Sequence, residues 1–214
     1  MKSARAQDLC QGCYEDLPWL TSGCARCGRP LPHSAPQCGA CIAAEPLYDR
    51  TVAVFEYQSP VSELIGRLKF GGELTCMRVL GELLFEKISA VYQEDTWPEV
   101  VVPMPLHRRR LRERGFNQAY QIAKPLKRHV PMLLNWAVRV RATHAQAELS
   151  GVQRRLNVKN AFAVRFARTL THVAVVDDVM TTGHTVSALS RCLKAQGVER
   201  IDVWCLARAS FGHH

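Results

Sequence analysis

One thirteen-residue stretch, V-A-V-V-D-D-V-M-T-T-G-H-T at residues 173–185, constrains the fold of this chain more than any other. It begins with four apolar, mostly β-branched residues, which is typical of a fully buried parallel strand. Asp177 and Asp178 follow at once, so we expect both carboxylates at the carboxyl end of that strand. Ligands bind at this edge of open α/β sheets. The pattern therefore predicts an α/β domain with a ligand site beside the two acids.

The residues that follow the acid pair favour a phosphate group. Thr181, Thr182 and Gly183 form a small-residue turn that leads into a helix-patterned segment. Backbone N–H groups of such a turn attract anions, and threonine hydroxyls add donors. Ionised carboxylates accept hydrogen bonds from ribose hydroxyls, so the acids and the turn together predict a site for a phosphorylated sugar. An ordinary turn with an aspartate N-cap would explain only one acid and one threonine.

The same stretch closely resembles the phosphoribosyl pyrophosphate (PRPP) binding motif of type I phosphoribosyltransferases. The resemblance implies a parallel sheet flanked by helices, with the acid pair on the ribose and Mg²⁺ accompanying PRPP. Hypoxanthine-guanine phosphoribosyltransferases carry a third acid three residues after the pair, where this chain has Thr181. No catalytic residue can therefore be named from the sequence. The PRPP-binding residues that the resemblance implies are Asp177, Asp178, Thr181, Thr182, Gly183 and Thr185.

Composition limits the partners and the cellular compartment. The 214 residues suffice for one good core and a small appendage, and the net charge is +9, from 28 Lys and Arg against 19 Asp and Glu. This excess predicts an acidic partner, either a polyphosphate or a nucleic acid. No apolar run approaches the roughly 18 residues of a membrane span, and the N-terminus lacks a secretory signal. We therefore predict a cytoplasmic protein in which thiols stay reduced, so that its nine cysteines indicate metal binding rather than disulfides.

Six of the cysteines form three C-x-x-C pairs near the N-terminus. Two such pairs can hold one tetrahedral zinc ion, and either adjacent pairing satisfies the spacing. Glycines in or after the second and third pairs favour tight turns there. Cys10 and Cys13 then resemble half of a second ribbon whose partner would lie upstream, and a redox role would require a preceding βαβ pattern that the sequence lacks. The predicted zinc ligands are Cys24, Cys27, Cys38 and Cys41.

The rest of the chain is divided by its hydrophobic pattern. We expect a zinc ribbon at residues 1–46 and a phosphoribosyltransferase-like domain at residues 47–214, with Pro46 near the boundary. Helices are predicted after Pro60, at about 75–92 and at 184–196. Strands are predicted at 51–57, 99–105, 173–176 and 201–207, with 99–105 as the first strand of the sheet.

A run of arginines follows the strand at 99–105. In a phosphoribosyltransferase, this position belongs to the loop that holds pyrophosphate, and the planar fork of arginine pairs well with phosphate oxygens. A plain basic surface is the alternative, since basic runs are usually solvated. The residues assigned to this pyrophosphate-binding basic loop are Arg112, Arg114, Gly115 and Asn117.

Motifs along the whole chain resemble the ComF family. They are P-x-P-L-H, R-x-R-G-F-N-Q, R-x-T-x-x-Q-x-x-L and R-x-x-N-x-x-x-A-F, in addition to the PRPP motif. The resemblance implies an N-terminal zinc ribbon, a phosphoribosyltransferase domain and a link to DNA uptake in natural transformation. Residues 143–162 lack a clean period, and we expect them to form a loop that closes over PRPP. Its polar residues include Gln146, Arg154 and Asn157.

The composition also allows a second function. The same fold could bind single-stranded DNA or sense a nucleotide without turnover, and the +9 charge allows it. Stacking on single-stranded bases favours aromatic residues among the basic ones, and the sequence lacks that pattern. We therefore place phosphoribosyl transfer first and DNA binding second.

Overall fold

The protein is represented by a computed structural model that describes residues 9–32, 35–70, 74–140, 161–165 and 169–210, with only the backbone described at 68–70 and 74–75. The strands are β1 (Arg50–Glu56), β2 (Val100–Pro103), β3 (Ala137–Arg139), β4 (Phe162–Val164), β5 (His172–Met180) and β6 (Arg200–Arg208). The helices are α1 (Gln11–Glu15), α2 (Gly39–Ala43), α3 (Val61–Phe70), α4 (Leu74–Val91), α5 (Arg108–Arg114), α6 (Gln118–Ala123) and α7 (His184–Lys194), with a 3₁₀ turn at Lys124–Arg128.

Four of the strands form one parallel sheet in the order β1-β6-β5-β2, and β3 and β4 form a separate antiparallel pair. Successive valines of β5 are buried on opposite faces: Val173 and Val175 lie in the core with α7 and the cysteines, whereas Val176 lies in the core with α4 and α6. A strand buried on both faces is expected of a parallel sheet covered by helices. The predicted fold class, a parallel sheet flanked by helices with a cysteine cluster in front, is confirmed.

Two predicted strand assignments are wrong. The central strand does not stop at Val176 but continues to Met180, because β6 remains paired with it as far as Arg208. Residues 100–103 are not the first strand of the sheet, since β1 precedes them and pairs with β6 at the opposite edge. Both errors arise because ladder partners are distant in sequence and leave no local pattern.

The N-terminal segment covers the free edge of β1. The N–H of Leu20 donates to the carbonyl oxygen of Val54 at 2.9 Å, and the N–H of Glu56 donates to that of Pro18 at 2.8 Å. Further along, the N–H of Thr51 donates to Ala25 at 3.1 Å. An uncovered edge strand would present unpaired backbone groups. The cysteine-containing segment is thus attached to the sheet through backbone hydrogen bonds as well as through the core.

Candidate functional site

The acid pair lies where the sheet narrows. The N–H of Met104 donates to the carbonyl oxygen of Val176 at 2.7 Å, and β2 ends at Pro103. Asp177 and Asp178 come next on β5, so they extend past the end of the neighbouring strand and are half-buried at the carboxyl edge. This edge is where α/β sheets bind ligands.

Local hydrogen bonds fix the two carboxylates. The Oδ1 atom of Asp177 accepts the N–H of Asp178 at 2.9 Å, and the Oδ1 atom of Asp178 accepts the N–H of Val179 at 2.9 Å. A carboxylate has two oxygens and accepts several hydrogen bonds when ionised. Each acid therefore uses one oxygen to hold its own orientation.

The small-residue turn after β5 is built around Gly183, the N-cap of α7. Its φ of 76° lies in the left-handed region, and an added Cβ would approach the Met180 Cε atom to 2.9 Å and the Tyr48 hydroxyl to 3.1 Å. Gly183 provides no side-chain cap for the helix, while the hydroxyl of Thr182 lies 2.9 Å from Nδ1 of His184. The 11-residue helix α7 begins at the same edge of the sheet as the two acids. Its first backbone N–H groups have no partner within the helix and could bind an anion there.

The arginine run is a helix that ends at Arg114, so the prediction of a loop is wrong for Arg112 and Arg114, whereas Gly115 and Asn117 lie in the connection between two helices. The Nδ1 atom of His107 accepts the N–H of Arg109 at 3.2 Å and caps the N-terminus of α5. Gly115, with φ 75°, ends the helix and donates its N–H to Leu111 at 2.9 Å. The seven residues of α5 are all arginine, leucine or glutamate, which are good helix formers, and the two caps stabilise this short helix of two turns.

Asn117 anchors this region to the sheet. Its Nδ2 donates to the carbonyl oxygen of Met104 at 3.0 Å, and its Oδ1 accepts the N–H of Tyr120 at 3.2 Å as the N-cap of α6. Both bonds are internal to the protein. Asn117 thus holds the arginine helix at the end of β2, next to the acid pair.

The helix separates its arginines into two groups. Arg110 and Arg114 are one turn apart and half-buried, whereas Arg112 is exposed. Burial, the strongest influence, lowers the pKa of Arg114, and the carboxylate of Asp178 acts in the opposite direction. Arg114 therefore lies within electrostatic reach of the acid pair. Exposed arginines on the same helix, besides Arg112, are Arg108 and Arg109.

Arg139 joins this site although no motif indicated it. It ends β3, forms a backbone bridge with His107 and is only 7% exposed. Its guanidinium lies 5.6 Å from the centre of the Phe162 ring. Burial lowers the pKa of Arg139, the charge of Arg110 lowers it further, and the charge of Asp177 raises it. Its position next to the site results from tertiary pairing that a single sequence does not reveal.

The charges of the site favour a polyanion that also carries hydroxyl groups. Arg110, Arg114 and Arg139 supply three guanidinium groups against two carboxylates. Partly desolvated arginines bind phosphate oxygens in charge-assisted, often bidentate pairs. Carboxylates repel phosphates and accept hydrogen bonds from hydroxyls, so the two sets of residues would bind different parts of one ligand.

A separate cluster of four cysteines lies on the α7 face of the sheet. The sulfur atoms of Cys24, Cys27, Cys38 and Cys41 all lie within 4.8 Å of one another, and all four residues are buried. The Cys27 and Cys38 sulfurs are 3.7 Å apart. A tetrahedral zinc ion with Zn–S bonds near 2.3 Å requires sulfurs about 3.8 Å apart. The cluster therefore has the chemistry and spacing to hold zinc, and the cysteines are those of the predicted pairing.

Backbone geometry prepares the cluster for a cation. Burial acts most strongly on Cys24 and raises its pKa, but N–H groups of Cys27, Cys38 and Arg26 outweigh burial and lower the pKa to about 7. Burial and the neighbouring Cys27 raise the pKa of Cys41 instead. Four crowded thiols thus resist full ionisation, and a bound cation would relieve that resistance.

The first cysteine pair lies apart from this cluster. Cys10 and Cys13 are both exposed, and the Sγ atom of Cys10 accepts the N–H of Cys13 at 3.5 Å. Within the described residues, the four buried cysteines form the only group of at least three His, Cys, Asp or Glu side chains with metal-binding spacing.

The predicted closing loop falls almost entirely outside the residues that the structure describes. Gln146, Arg154 and Asn157 fall outside the described residues.

Of the helices in the described part of the chain, none combines the length and apolar character needed to cross a membrane.

Comparisons with known proteins identify relatives along nearly the full chain. Competence protein F of Haemophilus influenzae is 38% identical over 208 residues, covering 94% of this chain and 90% of the relative. The DNA utilization protein YhgH of Escherichia coli K12 is 36% identical over 204 residues, with the same coverage of 94% and 90%. A purine phosphoribosyltransferase structure from Pyrococcus horikoshii is 20% identical, covering 74% of this chain and 77% of the other, with a TM-score of 0.34, too low to transfer site residues. No protein-family model matches the chain.

Proposed function

The chain belongs to the competence protein F (ComF) family, and we propose that it binds PRPP with Mg²⁺ and transfers the phosphoribosyl group with release of pyrophosphate. The observation that carries this proposal is the meeting of three groups at one sheet edge. Asp177 and Asp178 extend past the end of β2, the Gly183 turn opens α7 beside them, and arginines from α5 and β3 lie within electrostatic reach.

Each group has a distinct task in this proposal. The carboxylates of Asp177 and Asp178 accept hydrogen bonds from the ribose 2′- and 3′-hydroxyls. The N–H groups and hydroxyls of Thr181, Thr182, Gly183 and Thr185 hold the 5′-phosphate at the N-terminus of α7. The ligand is thus held from both ends of its sugar, which leaves C1 directed toward the rest of the edge.

The arginines would bind the pyrophosphate on C1. In the transfer, the bond from C1 to the pyrophosphate oxygen breaks and its electron pair leaves with pyrophosphate, while an acceptor nucleophile bonds to C1. Arg110, Arg114 and Arg139 would stabilise the charge that develops on the departing group. Mg²⁺ bound with PRPP supplies further neutralisation, and carboxylate oxygens such as those of Asp177 and Asp178 are ligands that it favours.

The cysteine cluster completes the proposed architecture. We propose that Cys24, Cys27, Cys38 and Cys41 hold one structural zinc ion in a ribbon formed by residues 1–46, in front of a transferase domain at 47–214. All four ligand positions are cysteine and all are buried, as in closed structural sites, where no position is open to substrate.

The names of the relatives, competence protein F and DNA utilization protein, support a role in DNA uptake or use. The exposed arginines of α5, which are Arg108, Arg109 and Arg112, offer a basic surface distinct from the half-buried pair. This surface favours a second candidate function, the binding of single-stranded DNA through its phosphates. It does not require the acid pair.

Calorimetry distinguishes the two functions. We expect PRPP with Mg²⁺ and ribose 5-phosphate to bind, with PRPP the tighter ligand because it adds the pyrophosphate contacts. A fluorescent single-stranded oligonucleotide, titrated at several salt concentrations, provides the comparison. Binding of DNA alone, weakening steeply with the logarithm of salt concentration, would favour the second function and contradict the first.

A further inference from the structure

Arg208, near the end of β6, is a buried cation with unusual partners. It is 2% exposed, and within the described residues all hydrogen bonds of its side chain go to backbone carbonyl oxygens. Nε donates to Cys27 at 2.7 Å, and Nη1 donates to Met180 at 3.0 Å, to Ala209 at 2.8 Å and to Thr181. Burying a guanidinium is costly unless its donors are satisfied, so a side chain in this position must have a specific structural task.

Two of those acceptors belong to the two sites described above. Cys27 is one of the four clustered cysteines, and Thr181 begins the turn assigned to the 5′-phosphate. The fork of a single guanidinium thus spans from the cysteine cluster to the phosphate turn. Because the fork is planar and rigid, a shift of the Cys27 carbonyl would be transmitted to the orientation of the other nitrogen atoms.

A second contact joins the same two regions. The Tyr48 hydroxyl lies beneath Gly183, at 3.1 Å from the position of an added Cβ. The carbonyl oxygen of Tyr48 accepts a 3.4 Å hydrogen bond from Arg26, which lies between two of the clustered cysteines in sequence. Tyr48 is 3% exposed and belongs to the same buried cluster as the four cysteines. Tyr48 therefore contacts the turn through its hydroxyl and the cysteine-containing segment through its carbonyl oxygen, which gives a second connection beside Arg208.

A bound metal ion would also act on Arg208 through its charge. A divalent ion with four thiolate ligands keeps a net negative charge, which would balance the buried guanidinium. Without a bound ion, the turn that carries Cys27 loses an anchor, so the carbonyl oxygen that accepts a hydrogen bond from Nε of Arg208 can shift.

We propose that Arg208 is a positioning residue that couples the cysteine cluster to the phosphate turn, so that metal in the cluster strengthens binding of phosphorylated ribose. This inference rests on the proposed function, since it takes the turn at Thr181–Gly183 to be the phosphate site. Coupling between sites is reciprocal, so the bound ligand must also strengthen retention of the metal.

The test uses the full chain loaded with zinc and measures two quantities. Calorimetry gives the affinity for ribose 5-phosphate, and a chromogenic chelator gives the rate of zinc release with and without saturating ribose 5-phosphate. The variant is Arg208→Lys, which keeps the charge but loses the fork. The matched control is Arg200→Lys, at the opposite end of the same strand, where the arginine pairs with Asp95 and Asp202.

We expect ribose 5-phosphate to slow zinc release from the wild type on the order of tenfold, and zinc removal to weaken ribose 5-phosphate binding by a similar factor. Both effects should shrink to about twofold or less in Arg208→Lys and persist in Arg200→Lys. A merely structural role would lower the melting temperature in both variants without changing the coupling. Equal coupling in Arg208→Lys and wild type would overturn the inference while leaving the proposed function standing; a wild type that binds no ribose 5-phosphate would overturn both.

Discussion

The N–H of Met104 donates the last hydrogen bond between β2 and β5, to the carbonyl oxygen of Val176 at 2.7 Å. The next two residues of β5 are Asp177 and Asp178, which therefore have β6 on one side and no ladder partner from β2 on the other. The arginine helix lies near this gap, because Asn117, which follows that helix, donates a hydrogen bond to the carbonyl oxygen of Met104, and Arg114 feels the charge of Asp178. One short strand thus determines both where the acids become accessible and where the arginines meet them.

Replacing Arg110 and Arg114 with alanine should weaken PRPP binding. Each would lose a charge-assisted contact with pyrophosphate worth about 1.5–3 kcal/mol. Ribose 5-phosphate affinity should change little, because that ligand lacks the pyrophosphate. Calorimetry with both ligands measures the difference.

Arg112→Ala is the matched control, since it removes an arginine from the same helix at an exposed position. It should leave both affinities within about twofold of the wild type, as expected of a solvated charge. A loss of PRPP affinity in Arg112→Ala that equals the loss in the double variant would contradict the division of α5 into two groups of arginines.

The cysteine cluster should bind one zinc ion per chain. Cys38→Ser removes one of four ligands, and we expect the purified variant to lose zinc and much of its thermal stability, because structural zinc contributes on the order of 10–16 kcal/mol of apparent binding free energy. Cys10→Ser changes an exposed cysteine outside the cluster and should retain the metal. Elemental analysis of both variants decides the matter, and zinc loss confined to Cys10→Ser would show that the ligand set is wrong.

Asp202 should stabilise the fold at neutral pH. Its fully buried carboxylate accepts a hydrogen bond from the Tyr92 hydroxyl, pairs with Arg200 at 3.1 Å and lies 3.0 Å from His172 Nε2. Burial opposes ionisation most strongly, but these three partners outweigh it and lower the pKa of Asp202. The hydrogen bond from Arg200 likewise lowers the pKa of the neighbouring Asp95. Depressed carboxyl pKa values contribute stability that is present above the unfolded value, about 3.9, and is lost as the pH falls below it.

We therefore expect the free energy of unfolding of the wild type to fall below about pH 4. Asp202→Asn should lower it by about 3 kcal/mol at pH 7, at the low end for a broken buried pair because Arg200 is partly solvated. The variant should also lose less stability on acidification. Glu113→Gln, in an exposed pair with Arg109, is the control and should cost less than about 1 kcal/mol. Urea unfolding between pH 3 and 7 measures all three proteins, and parallel pH curves for Asp202→Asn and wild type would contradict this account.

Features encoded in neighbouring residues could be predicted from the sequence. The valines before Asp177 fixed a buried strand, and the C-x-x-C spacing indicated the cysteine cluster, because both depend on short-range patterns. The place of Arg139 beside the acids could not be predicted, since it depends on a backbone bridge to His107, 32 residues earlier in the chain. The arginine helix shows the same limit: a basic run predicts an anion site, but only the caps at His107 and Gly115 determine which arginines face the acids.

In the proposed function, the acid pair binds the ribose of PRPP. The double variant Asp177→Asn/Asp178→Asn keeps the shape of both side chains but weakens two charge-assisted contacts, each worth roughly 1.5–3 kcal/mol. The free energy of unfolding should fall slightly, because Arg114 and Arg139 each lose a nearby opposite charge. Calorimetry with PRPP and Mg²⁺, beside a thermal melt, is the direct measurement. We predict at least a tenfold loss of affinity in a folded protein, whereas wild-type affinity in a folded double variant would contradict the ribose assignment and the transferase function with it.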